Sequence, residues 1–215
     1  VRQLLRDIAY ERLRDDIVFG VLPPDHDLSE AQLAEQLGVS KAPVREALAR
    51  LTQDGLVVRK AQAHTRVAPL NGRQSLDALV VVRLLHVEAA GGASIDADGI
   101  AAMHMANERF AQALSARDVR AALDADDELH GVILTAYDNQ PLIETIERLT
   151  PLVRRMEVLR FAGSHGERSV ALHRALIDSY ARSDRRLAAE LTDVIFGSLA
   201  EEVEDLFTHN TQERS

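Results

Sequence analysis

Apolar positions recur along most of the chain at steps of three and four residues, the period of a helix with one buried face. Over residues 2–19 they are Leu5, Ile8, Ala9, Leu13 and Ile17; Gly20 stops this helix and Pro23-Pro24-Asp25 makes a turn. Ser29 offers an N-cap to EAQLAEQLG, a short helix with Leu33, Ala34 and Leu37 inward, which Gly38 ends. Ser40 then caps KAPVREALARLTQD, with Val44, Ala47, Leu48 and Leu51 inward, and Gly55 closes it. Two short helices joined by a tight glycine turn are a helix-turn-helix. Beyond it the period changes. Leu56–Arg59 and Thr65–Val67 are β-rich and separated by AQAH, which predicts a small hairpin and makes the whole a winged helix.

From Asn71 onward no convincing strand is found, and helical stretches are expected at about 74–94, 97–115, 118–137, 140–161, 167–182 and 184–207. The breaks are Gly91-Gly92, Ser115, Asn139 (an N-cap with Pro141 in the first turn), Gly163 through Gly166, and Ser183-Asp184. Stripes such as Leu142, Ile146, Leu149, Val153 and Leu191, Val194, Ile195, Leu199 read as inward faces. The fold class expected is mainly α: a winged helix-turn-helix over residues 1–70, a short linker at 71–72, an all-helical bundle of about six helices over 73–208, and a tail at 209–215.

Composition narrows this further. Aromatics make up only 4% and Trp is absent, so the core must be aliphatic, which suits packed helices. Zero cysteines exclude disulfides, thiol catalysis and zinc–thiolate sites, and fit a reducing cytoplasm. No apolar run approaches the roughly 18 residues of a membrane span, so no membrane partner is expected. No secretory leader pattern is found in the sequence, which opens on Val1 and leaves open whether residues precede it. The net charge of −9 is uneven: residues 1–70 hold 10 basic and 10 acidic side chains, and residues 71–215 hold 15 and 24. Within 40–66, Lys41, Arg45, Arg50, Arg59, Lys60 and Arg66 face only Glu46 and Asp54, a local +4 suited to a polyanion.

A helix-turn-helix reads DNA with the N-terminal turn of its second helix in the major groove, so that turn must carry small or basic groups. It carries Ser40, Lys41, Ala42, Pro43 and Arg45, with Lys41 and Arg45 on one face. Arg45 can meet a guanine edge or a phosphate. Lys60, Gln62 and His64 fall at or near the wing tip, placed for backbone or minor-groove contact.

Two polar intrusions interrupt the bundle's inward stripes. Asp126 lies with Ala122, Leu129 and Ile133, with His130 one turn on; His173 lies among Val170, Leu176, Ile177 and Tyr180. In the same run, Asp124, Asp127 and Glu128 point elsewhere and read as solvated. A buried carboxylate is costly unless paired or coordinated. Asp126, His130 and His173 could hold Zn²⁺ or a similar divalent metal; a hydrogen-bonded Asp–His cluster or histidines satisfied in the core are the alternatives. Arg83, expected inward beside Val80, Val87 and Ala90, is a candidate for an effector carboxylate or for an ion pair with Glu88. His86 and His104 read as ordinary histidines.

The run LSEAQLAEQLGVSKAPVREALARLTQDGLV resembles the DNA-binding domain of the GntR family of bacterial transcription regulators. The resemblance covers nearly all of residues 4–70 and implies DNA contacts at Ser40, Lys41, Pro43 and Arg45. The family often has Arg where this chain has Ala31, and its wing usually contains glycine, which AQAH lacks. The domain order resembles the FadR-type branch, with an FCD-type effector domain over roughly 73–208. Many such domains hold a divalent metal on one Asp and three His, with an organic acid beside it. Asp126, His130 and His173 match three of these positions; the fourth falls on Ile195, and nearby Asp193 would point off the inner stripe, which leaves two readings: a metal on three protein ligands, or a degenerate site that takes a more apolar effector without metal. Arg83 resembles the position that contacts the effector's carboxylate. The function implied is a cytoplasmic, homodimeric regulator, expected as a repressor, that binds a short palindromic DNA operator under control of a small organic acid. The alternatives are a metal-dependent hydrolase with an appended DNA-binding domain, against which no nucleophile elbow, phosphate loop or HExxH is found, and a ligand-independent DNA-binding protein.

Overall fold

The computed structural model describes residues 4–60, 64–161 and 167–212, and the chain divides into two compact units between Asn71 and Gly72. The first contains α1 (Leu5–Val18), α2 (Glu30–Leu37), α3 (Lys41–Gln53), β1 (Val57–Lys60) and β2 (His64–Val67). α1 packs on α3, burying Ala9, Tyr10, Leu13 and Ile17 near Val44, Ala47, Leu48 and Leu51. Leu5 and Ile8, expected inward, are 57% and 43% exposed. Tyr10 takes an inner place instead, held by a 2.8 Å hydrogen bond to buried Asp54 and by the Arg50 guanidinium 3.8 Å from its ring centroid.

The turn between α2 and α3 forms for local reasons. Ser29 caps α2 by accepting from the Gln32 amide, and Gly38 ends it at φ +65°, a left-handed conformation open to glycine at little steric cost. Ser40 occupies the N-cap of α3, but its side chain makes no capping bond, contrary to expectation. β1 and β2 pair antiparallel from Val57↔Val67 to Lys60↔His64. A third segment joins them: the Leu28 amide donates to the Thr65 carbonyl and the Val67 amide to that of His26.

The second unit contains α4 (Gly72–Gly92), α5 (Ala97–Ala116), α6 (Val119–Tyr137), α7 (Gln140–Phe161), α8 (Glu167–Ala181) and α9 (Arg185–Gln212). This is the expected six-helix bundle. α9 runs on into residues expected as tail, where no proline or glycine interrupts it. α4 packs against α9, α7 and α6, while α5 packs against α6 and α8. Small residues at the end of α4 (Ala89, Ala90) and just after it (Ala93) permit close approach to a core that includes Met103, Leu129, Ile133 and Leu176. Gly92 is required: a Cβ there would stand 2.2 Å from the Tyr137 ring.

On α9 the expected Leu191 and Ile195 pack against the core, but the inner face is broader than the expected stripe and leaves out one of its members. Val194 is 42% exposed, and Thr192 and Phe196 are buried in its stead, with Leu199. α7 is buried at every position from Pro151 to Glu157, so Arg154, Arg155 and Glu157 are carried inside.

Candidate DNA-contacting turn and acid–histidine site

The first turn of α3 presents Ser40, Lys41, Ala42 and Arg45 to solvent, with Pro43 half-buried and Val44 anchoring the helix beneath. The Arg45 guanidinium lies 3.1 Å from Glu30 of α2, and Arg66 pairs with Asp27. Both acids lie just before the basic stretch, so a charge count over residues 40–66 misses that they offset two of its cations. Lys41 stays exposed. Lys60 and His64 face each other across the hairpin as backbone partners. Their side chains, and Gln62 altogether, lie outside the described residues.

In the second unit, α6 and α8 bring Asp126, His130 and His173 together, with one donor atom from each lying within 4.8 Å of the others. Asp126 Oδ1 stands 3.4 Å from His173 Nε2 and 4.0 Å from His130 Nε2. Its other oxygen, Oδ2, accepts from the Arg154 guanidinium at 3.3 Å. Arg154 also donates to Asp127 and, at 2.7 Å, to Glu157. One arginine therefore fixes the carboxylate so that a single oxygen faces both imidazoles.

The charges follow from this packing. Burial alone would lower the Arg154 pKa, but Glu157, Asp127 and Asp126 raise it above the ordinary guanidinium value. Burial would raise that of Asp126, yet His130, Arg154 and His173 hold it below the usual carboxylate range. Burial drives His130 down to about 3 and His86 to about 4, so both rings are neutral at pH 7.

Three residues differ from expectation in place or in partner. Arg83 is half-buried on the seam between α4 and α9 rather than fully inward, and its Nε and Nη2 donate to the two carboxylate oxygens of Asp193 of α9, at 2.6 and 2.7 Å. Glu88, its expected alternative partner, accepts from the Tyr137 hydroxyl instead. Asp127 is exposed as expected but is enlisted by Arg154. His86, read as ordinary, is 7% exposed with its ring centroid 5.5 Å from that of His130, whereas His104 is exposed. Sequence reasoning also passed over Arg154, flanked by Val153 and Arg155 in a stretch that gave no sign of burial on all sides.

Two family models cover most of the chain: bacterial regulatory proteins of the gntR family match residues 5–67, and the FCD domain matches residues 77–197. An uncharacterized HTH-type transcriptional regulator of Agrobacterium vitis, in the TAR-I ttuE-ttuC' intergenic region, is 30% identical over 135 residues, 59% of this chain and 77% of that one. The chain belongs to the GntR family. The HTH-type transcriptional repressor RspR of Escherichia coli K12 is 25% identical to this GntR protein over 154 residues, 71% of this chain and 68% of that one. The solved structure of E. coli McbR/YncC superposes with a TM-score of 0.85 at 19% identity, over 96% of this chain and 100% of that one, and shows the same fold.

A GntR protein with an FCD domain is a DNA-binding transcription regulator and not an enzyme, which sets the hydrolase alternative aside. The acid–histidine group of this regulator fits a divalent cation. Donors on a tetrahedral zinc with bonds of about 2.0–2.1 Å lie roughly 3.3 Å apart, and Asp126 Oδ1 stands 3.4 and 4.0 Å from the two imidazole nitrogens. No helix among the described residues is long and apolar enough to cross a membrane.

Proposed function

We propose that this regulator binds a short palindromic operator as a homodimer in the cytoplasm and acts as a repressor that a small organic acid releases. The observation that carries the reading is the buried Asp126, His130, His173 group in the same chain as a winged helix. A bundle needed only to join two DNA-binding domains has no use for a carboxylate and two imidazoles in its interior, where each polar group left unsatisfied costs about 1–3 kcal/mol. Asn107 Oδ1, Thr192 Oγ1 and Arg154 Nε are buried atoms without hydrogen-bond partners. They favour a ligand-responsive domain over a ligand-independent one.

Asp126, His130 and His173 would hold a divalent ion such as zinc. The ion would supply a fixed positive charge for an effector's carboxylate. Arg83 is the second candidate contact: its planar fork suits a carboxylate, which would take the place of Asp193. On DNA, Ser40, Pro43 and Arg45 would meet the major groove, Lys41 a phosphate at its edge, and Lys60, Gln62 and His64 the backbone or the minor groove. Repression rests on the likeness to repressors such as RspR.

The test is selection of binding sites from random DNA by the full chain, followed by titration of the selected complex with small organic acids in the presence of Zn²⁺. A palindromic consensus, affinity that falls with rising salt, and release by one class of acid are the expected results. Absence of any preferred sequence at moderate salt would refute operator recognition. A complex that no acid loosens, with or without metal, would refute effector control.

A further inference from the structure

α4 carries one more imidazole to the acid–histidine site. The ring centroids of His86 and His130 lie 5.5 Å apart with the planes at 85°; those of His130 and His173 lie 5.3 Å apart at 81°. Two imidazoles on one tetrahedral zinc have centroids about 5 Å apart when the metal–nitrogen bonds are about 2.0–2.1 Å. Each pair therefore has the spacing of two ligands that share an ion.

The helix of His86 settles its tautomer. Nδ1 lies 2.9 Å from the Val82 carbonyl oxygen, which can only accept, so in the neutral ring Nδ1 carries the proton and Nε2 the lone pair. Metal-bound histidines almost always have their second ring nitrogen held in this way. The site is closed differently on the α9 side. Phe196 packs against the rings of His86 and His130 at 4.5 and 5.3 Å, and Asp193 is engaged by Arg83. Ile195, at the position expected for a histidine, offers only hydrocarbon.

We propose that His86 of α4 is the fourth protein ligand of the divalent ion held by Asp126, His130 and His173, binding through Nε2 in place of a histidine from α9. The inference rests on the metal reading above. The three other donors already lie within 4.8 Å of one another; His86 stands outside that radius, so its ring has to shift toward them to complete the set. This places a ligand on α4, the helix that also carries Arg83 three residues earlier.

The full chain, stripped with chelator, is titrated with Zn²⁺ against a chromophoric competitor and, separately, loaded with Co²⁺ for absorption spectroscopy. Loss of an outer-shell partner already costs about 10–100-fold in metal affinity. His86→Ala is therefore expected to lose at least that much, and its Co²⁺ bands to weaken as water replaces nitrogen. His86→Gln, closer in volume, repeats the measurement should the alanine variant fail to fold. Unchanged Zn²⁺ affinity and Co²⁺ spectra in a folded His86 variant, with binding abolished by His173→Ala, would overturn the role of His86 and leave a three-ligand site standing. Absence of Zn²⁺ binding by the unsubstituted protein would overturn both.

Discussion

Tyr10 ties α1 to the end of α3 through one side chain. Its hydroxyl donates to Asp54, the buried residue that follows α3, and its ring lies under Arg50. Burial first, and then the bond to Asp54, push the Tyr10 pKa up to about 12. Between about pH 10 and 12 the unfolded chain gives up this proton while the folded chain keeps it, so stability falls across that window. Tyr10→Phe should cost about 1–3 kcal/mol at pH 7, because a buried carboxylate loses its donor. It should also flatten the alkaline fall, leaving the part due to Tyr180 and Tyr137, whose pKa values are likewise raised. Urea unfolding of both proteins at pH 7 and 11 measures this; parallel losses in the two would show that the Tyr10 proton is not linked to folding. Side chains in the helical unit differ in how far the chain announces them. Asp126, His130 and His173 were legible because each interrupts an apolar stripe at helical spacing. His86 was not, because Val80, Val81, Val82, Leu84, Leu85 and Val87 surround it with hydrocarbon and no one face stands out.

Helix ends were easiest to read where glycine or a capping side chain marks them, as at Ser29 and Gly38. α5 and α6 end on Arg117 and Asp138, both at positive φ, so the left-handed caps carry no glycine signal there. α9 shows how single positions escape a stripe: its buried face includes Thr192 and Ser198, whose polarity argues for the surface, while Val194 is exposed. The Ser198 hydroxyl is satisfied by the carbonyls of Val194 and Ile195, which permits its burial. At α3 the structure sharpens what the proposed DNA-reading turn should do. Lys41 is exposed, whereas Arg45 must leave Glu30 to reach DNA. Lys41→Ala should weaken binding to all sequences alike and reduce the slope of log affinity against log salt by about one. Glu30→Gln should strengthen binding, because Arg45 no longer gives up a partner. Fluorescence anisotropy across a salt series reads both, and an unchanged slope for Lys41→Ala would place that side chain off the phosphates.

At the scale of the assembly, α4 leaves Val80, Val81 and Leu84 at 56%, 39% and 63% exposure, two of them one turn apart on a single face. Large aliphatic side chains grouped in this way suit a contact surface. A second copy of the chain is the occupant we propose, because two-fold DNA sites are read by two-fold proteins and a two-fold contact uses the same patch on both partners. Leu84→Glu would then set two carboxylates against apolar surface at the centre of that contact. It should yield monomers by sedimentation at micromolar concentration and reduce operator affinity toward that of a single winged helix. Zn²⁺ binding should be untouched, since Leu84 faces away from the interior while His86, two residues on, is buried. That separation is what gives the experiment its force. A variant that loses both dimer and metal has a damaged α4 and says nothing about the surface. One that keeps its metal, stays dimeric and still binds the operator shows that the two-fold contact lies on another face of the bundle.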